Sequence, residues 1–224
     1  MSLVNVCLEP ERALVAVDTL AGMAPAVPVN ERTQDALARC SDGVHTAKCN
    51  FLPHINTVIA GRGDNLFAVA LFSALLTATP QDFDNVVEMM PQLLEPVRMQ
   101  TMAVRKQTVG IERFEGAEVV VVGWSPALKR MEGVRWTRWP NSSGFEVKRL
   151  GRALMLPDAE WEQSPDAPNT DEKMERVARD QVAYVKRRYP AGQYVCGGSL
   201  LATEITRDAM TVRKVCDLDK PASP

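Results

Sequence analysis

Apolar and polar positions alternate from the first residues of the chain. Val4, Val6 and Leu8 fall on one side and Leu3, Asn5 and Cys7 on the other. A valine-rich stretch follows the turn Glu9-Pro10-Glu11-Arg12 and closes on Asp18. This pattern predicts a hairpin of strands over residues 2–8 and 13–18. A buried-looking strand at residue 2 is a feature of few folds, because termini usually fray. Pro25 and Pro28 then interrupt any periodicity, and residues 35–39 read as a short helical turn. Short strands are predicted over 44–51 and 56–60, separated by Pro53, with Gly61-Arg62-Gly63-Asp64 as a corner into a helix that Asp64 caps. Leu66, Val69, Ala70, Ser73 and Leu76 share one face of that helix. Asp82 opens a second, running through Val86, Met90, Leu94, Val97 and Met102, which Pro91 and Pro96 should kink or split.

Strands return at 117–124, where Val119-Val120-Val121-Val122 implies burial on both faces, and again over 129–136 and 145–148. After a polar loop at 163–169, Thr170 caps a helix with Met174, Val177, Ala178, Val182 and Val185 on one stripe. A last hairpin, 194–204 with 210–215, turns through 206–209, and 217–224 reads as a loose tail. No internal repeat or linker divides the chain, so one domain over 1–224 is expected. The order of strands, two helices, strands, helix, strands suits an α+β four-layer αββα sandwich, two antiparallel sheets face to face with helices outside. Pattern alone leaves that as one of several α+β arrangements.

Composition narrows the function more than the fold. With 46% hydrophobic and 24% charged residues the chain can bury a full core, and its formal charge of −2 gives no field that would attract nucleic acid. Its five cysteines form no C-x-x-C pair, which argues against a disulfide framework or zinc site and for small core residues in a reducing compartment. Only His45 and His54 are present, which excludes a His-rich metal site and most His-dependent catalysis. No cofactor is indicated. Glu9, Glu11, Arg12 and Asp18 break any secretory apolar segment, and no stretch suits a membrane span, so a cytoplasmic location is expected.

Three polar residues stand at strand positions where apolar ones are expected: Ser2, Asp18 and Lys48. With Met1 removed, Ser2 would carry its hydroxyl beside a free α-amine, whose reference pKa of about 7.7–8.0 lets it act as a local base. Asp18 and Lys48 could hold each other in place, and the lysine charge would lower the pKa of a neighbouring hydroxyl or amine. Gly61, at a strand-to-helix corner, could offer its N–H to a developing oxyanion. Plainer readings exist for each. Asp18 also fits a turn start, Lys48 an edge-strand lysine, and Gly61 the corner alone. Glu112, Glu115 and Glu118 read as solvated turn residues, and Lys186-Arg187-Arg188 as an exposed helix end. Trp136 and Trp139, with Arg135 and Arg138, fit core packing or a subunit interface.

The ordered set Ser2, Ala16-Val17-Asp18-Thr19, Lys48 and Ala60-Gly61-Arg62-Gly63-Asp64, with Cys196-Gly197-Gly198-Ser199-Leu200 ahead of the last hairpin, resembles the proteasome β-type subunits and bacterial proteasome-like proteases of the N-terminal-nucleophile (Ntn) hydrolases. The resemblance implies the sandwich fold, a peptidase or amidohydrolase with nucleophile Ser2, an orienting Asp18, a pKa-tuning Lys48 and an oxyanion donor at Gly61. It also implies a peptide or small amide substrate, ring-forming homo-oligomers and, in some relatives, an ATPase partner. The chain departs from the pattern by a Ser where Thr is usual and by thirty positions between Asp18 and Lys48. The family's late Asp and Ser would fall near Gln193 and Cys196. These departures keep a catalytically inactive, ring-forming or scaffold subunit as the alternative.

Overall fold

The computed structural model describes residues 2–21, 44–45, 48–110, 112–161, 165–189 and 196–220. The N-terminal alternation forms β1 (Val4–Leu8) and β2 (Arg12–Asp18), antiparallel with Val4 opposite Val17. Glu9 and Arg12 close the hairpin by reciprocal backbone hydrogen bonds and a side-chain ion pair of 2.9 Å. The two-residue strands β3 (Leu20–Ala21) and β4 (Val44–His45) pair with each other. Then come β5 (Cys49–Leu52), a 3-10 turn at Pro53–Ile55, β6 (Thr57–Gly63) and two helices, α1 (Asn65–Ala78) and α2 (Phe83–Val109). The chain continues through β7 (Ala117–Ser125), β8 (Arg130–Arg138), β9 (Glu146–Arg149), β10 (Ala153–Leu156), α3 (Asp171–Arg188), β11 (Ser199–Thr206) and β12 (Met210–Asp217).

Two five-stranded antiparallel sheets result, β10-β1-β2-β11-β12 and β5-β6-β7-β8-β9. The core falls into three slabs, which makes four layers. Val4, Val6, Val15 and Val17 meet Val58, Ala60, Val120 and Val122 between the sheets. Val119, Val121 and Trp136 turn the other way, onto Phe67, Leu71, Phe83, Met90 and Leu94 of α1 and α2. Leu3, Cys7, Leu14 and Ala16 pack beneath Met174, Ala178, Val182 and Val185 of α3. The expected αββα sandwich is thus present, and the four-valine run splits its side chains between two slabs, as a strand buried on both faces must.

Several local expectations hold. Asp64, Asp82 and Thr170 cap the three helices, accepting from the N–H groups of Phe67, Asn85 and Lys173. Four do not. The helix α2 runs unbroken for 27 residues through Pro91 and Pro96. Its inner positions Val86, Met90, Leu94 and Val97 are buried against the sheet, so tertiary packing holds a backbone that two prolines weaken. Strand β10 had no strong pattern of its own and is recruited as the edge beside β1. Glu118 is no solvated turn residue: it lies in β7, 3% exposed, between Arg62 and Arg135. Of the tail, residues 217–220 are held by α3 and by the lead-in to β11, and Leu218 is buried. The expected helical turn at 35–39 lies outside the described residues. Among those described, no helix is long and apolar enough to cross a membrane.

Candidate active site

Four segments converge at the end of β2. Its last residue, Asp18, stands opposite Leu200 of β11, one step beyond the Val4–Val17 pair that joins it to β1. The chain entering β1, the chain leaving β2 and the chain entering β11 therefore reach the same edge of one sheet. Lys48, just ahead of β5, comes from the other sheet. The Asp18 side chain is fully buried, and that of Lys48 is 5% exposed.

Every oxygen of the Asp18 carboxylate is used. Oδ1 accepts the backbone N–H of Leu3 at 2.7 Å. Oδ2 accepts Lys48 Nζ at 2.7 Å and the N–H of Gly197 at 2.9 Å. Lys48 Nζ also donates to the Leu20 carbonyl. Three donors aimed at one carboxyl favour its ionised form. Burial acts against both charges: it raises the Asp18 carboxyl and lowers the Lys48 ammonium, and the attraction between the two opposes each shift. A buried ion pair of this kind is maintained by geometry, since removal of either partner strands the other.

The start of the chain is anchored by the same group. Leu3 gives its N–H to Asp18 and its side chain, fully buried, to the slab under α3. Two residues on, Asn5 and Gln181 of α3 exchange amide hydrogen bonds of 2.8 and 2.9 Å, both residues fully buried. Ser2 itself is half-buried, immediately ahead of the anchored Leu3.

Gly61 stands elsewhere than expected. It lies inside β6, paired with Val119, and the corner into α1 falls at Gly63 and Asp64. Its N–H donates to the Lys48 carbonyl at 3.3 Å, so it ties the backbone of Lys48 to the sheet. A Cβ there would stand 3.2 Å from the Glu118 carbonyl. Asp18 and Lys48 thus meet directly, Ser2 is tethered next to them through Leu3, and Gly61 touches the group through the Lys48 backbone.

Sequence reasoning did not assign a role to Gly197, whose N–H is the third donor to Asp18. Cys196, beside it, is buried. Its thiol is pushed up to about 11, chiefly by burial and then by the Asp18 charge, with Lys48 opposing, so it stays a protonated thiol at neutral pH. The glycine pair in Cys196-Gly197-Gly198 was the available signal, because both glycines take positive φ, +148° and +71°. Among the described residues no group of three or more His, Cys, Asp or Glu side chains is arranged to hold a metal ion.

No protein-family model matches the chain, and no curated protein matches it. Solved structures do. Anbu, described as an ancestral β-subunit, from Yersinia bercovieri is 10% identical with a TM-score of 0.58, over 95% of this chain and 86% of that one. Anbu from Hyphomicrobium sp. strain MC1 is 7% identical with a TM-score of 0.57, over 96% and 87%. A Gly-1 mutant of the Hyphomicrobium protein gives 7% and 0.55, over 96% and 88%. The resemblance drawn from short motifs, to proteasome β-type subunits and bacterial proteasome-like proteases of the Ntn class, is corrected by these findings. No family is matched by sequence, and what the chain shares, across nearly its whole length, is the fold of Anbu, an ancestral β-subunit.

Proposed function

We propose that this chain, as a single domain, is an amide-bond hydrolase in which Ser2, exposed by removal of Met1, is the nucleophile. The observation that carries the reading is the buried Asp18–Lys48 pair, tied to the first strand through the Leu3 N–H. A structural role alone gives little reason for a buried ion pair beside a chain start, because a hydrophobic pair of equal volume would serve stability at least as well. Alternation along β1 sends Leu3, Asn5 and Cys7 toward α3 and Val4 and Val6 between the sheets, so Ser2 belongs to the inter-sheet side.

In the proposed reaction the Ser2 α-amine takes the hydroxyl proton and Ser2 Oγ attacks the amide carbonyl carbon. The tetrahedral oxyanion collapses to an ester with Ser2, and the C–N bond breaks. The departing amine leaves with the proton that the α-amine held. Water, deprotonated by the same α-amine, then hydrolyses the ester and restores Ser2. Lys48 supplies positive potential that favours the neutral amine and the developing oxyanion, and Asp18 holds Lys48 and the chain start in register. A peptide or small amide is the substrate class. The Yersinia neighbour is a β-subunit, one part of an assembly, which supports an oligomer here; a homo-oligomer and an ATPase partner belong to the same reading.

One observation favours a second reading, a catalytically inactive assembly or scaffold subunit. The Gly61 N–H is engaged by the Lys48 carbonyl, so to serve an oxyanion it would have to leave that bond. A panel of fluorogenic peptides and aryl amides, assayed with wild type and Ser2→Ala, separates the two. Turnover that falls at least 100-fold in Ser2→Ala with an unchanged melting curve supports the hydrolase, since loss of a nucleophile costs up to about 10⁶-fold in kcat. Equal turnover in both refutes the role of Ser2, and no turnover in either favours the scaffold.

A further inference from the structure

The loop after β12 reaches back to the site. Asp219 Oδ2 accepts the N–H of Gly198 at 3.0 Å, and the Leu218 N–H donates to the Gly198 carbonyl at 2.7 Å. The other oxygen, Oδ1, lies 2.8 Å from where a Cβ on Gly197 would stand, against the residue whose N–H meets Asp18. The loop is itself fixed: Arg179 of α3 donates to the carbonyls of Lys220 at 2.7 Å and Asp217 at 3.2 Å. On the far side of the turn, Leu20 N–H donates to the Gly197 carbonyl and Ser199 N–H to Thr19 Oγ1. A path therefore runs from Arg179 through the backbone of residues 217–220, which carries Asp219, and on through the Gly197–Gly198 turn to Asp18 and Lys48.

We infer that Asp219 is a positioning residue for the Asp18–Lys48 pair, acting by clamping the Gly197–Gly198 turn so that the Gly197 N–H stays on the Asp18 carboxylate. Such a turn needs an external hold: two successive glycines have the widest backbone freedom of any pair and drift unless pinned. Asp219 is exposed, so its loss removes one hold on the turn, leaving those of the Leu218 and Leu20 N–H groups, without opening the core. The titratable groups that act on the site from the surrounding segments include Lys48 ahead of β5, Cys196 ahead of β11, Lys186 on α3 and the terminal amine, none of which an Asp219 substitution removes. Losing the Gly197 N–H takes away a bond that favours the ionised Asp18. The acid limb of any reaction that needs the Asp18 carboxylate must then move to higher pH.

The catalytic arm of this inference rests on Ser2 being the nucleophile; the backbone arm does not. The test uses the full chain with Asp219→Ala, Asp219→Asn and Arg179→Met. Amide hydrogen exchange is followed at Gly197 and Gly198, with β7 amides as the reference for global opening. In parallel, the pH profile of Ser2 modification by an amine-assisted electrophile is recorded. Asp219→Ala should speed exchange at Gly197 and Gly198 roughly fivefold to tenfold, as expected for one lost local hydrogen bond, with β7 unchanged. The acid limb of the modification profile should move upward. Asp219→Asn keeps an acceptor for Gly198 and should restore both readouts most of the way. Should Asp219→Ala fail to fold, Arg179→Met releases the same loop from its helix and must speed the same two amides. Wild-type exchange at Gly197 in these variants overturns the clamp, and faster exchange with an unmoved acid limb overturns its positioning role. A wild-type protein that is unmodified at every pH defeats the proposed nucleophile, while the exchange at Gly197 still decides the clamp.

Discussion

Replacing Lys48 by methionine keeps most of the length and apolar volume of the side chain and removes its charge together with its N–H donors, including the one to the Leu20 carbonyl. Asp18, fully buried, would retain the N–H groups of Leu3 and Gly197 and lose the ammonium at 2.7 Å. Stranding one member of a buried pair costs about 3–5 kcal/mol, and the two remaining donors argue for the lower end, about 3 kcal/mol. For a domain of this size each kcal/mol lowers the melting temperature by roughly 2–4 °C, so Lys48→Met should melt about 6–12 °C below wild type at pH 7. Adding Asp18→Asn removes the stranded charge, and the double variant should recover more than half of the loss. The deficit should also depend on pH with a definite sign. Burial already raises the Asp18 carboxyl, and the Lys48 charge is the largest opposing influence, so Lys48→Met pushes that carboxyl further up. An acid raised in the folded state contributes stability that is full below its unfolded value, about 3.9, and is lost as pH rises through its folded value. The gap between Lys48→Met and wild type should therefore narrow as pH falls from 7 toward 4.5, and the double variant should show no such trend. Thermal and urea unfolding followed by circular dichroism at the two pH values measure this. A deficit under about 1 kcal/mol, or one that does not change with pH, would refute the picture of a buried, ionised and mutually dependent pair.

The reciprocal amides of Asn5 and Gln181 predict that Gln181→Leu, which leaves the Asn5 amide buried and unpartnered, costs about 1–3 kcal/mol in urea unfolding. Asn5→Leu with Gln181→Leu should be less unstable than the sum of the two single variants, and strict additivity would contradict the pairing. At the corner into α1, Gly63 has φ of +100° and a Cβ would run into the Gly116 carbonyl, so Gly63→Ala should lower the melting temperature by several degrees. Gly110→Ala, also at positive φ but with open space around it, should cost less, and equal losses would mean that steric contact at Gly63 does not matter.

The layers of the fold were legible because hydrophobic period carries them. Val4 and Val6 against Leu3 and Cys7, the Val119–Val122 run and the Met174–Val185 stripe each name a face, and each face found its slab. The prolines did not split α2 because local propensity is weak against a long face of buried contacts. Glu118 misled because a single sequence gives no sign that Arg62 and Arg135, 56 and 17 positions away, converge on it. At the site, Ser2, Asp18 and Lys48 stood out as polar residues in strand contexts, and Asp18 and Lys48 do meet across thirty positions. The corner was read two residues too early, since β6 continues through Gly61 to Gly63. Gly197 acts through a backbone N–H that only the glycine pair hints at, and Asp219 acts through a loop carboxylate that no residue pattern announces.

The proposed function requires Ser2, beside the buried Asp18–Lys48 pair, to be a nucleophile with a free α-amine. Intact mass of the purified protein, before and after reaction with an electrophile selective for N-terminal Ser or Thr, tests it most directly. Loss of Met1 is expected, with a single adduct that maps to Ser2, is absent from Ser2→Ala and forms more slowly in Lys48→Met. Retained Met1, or a free Ser2 that takes no adduct, would contradict it and leave the buried pair as an element of assembly alone.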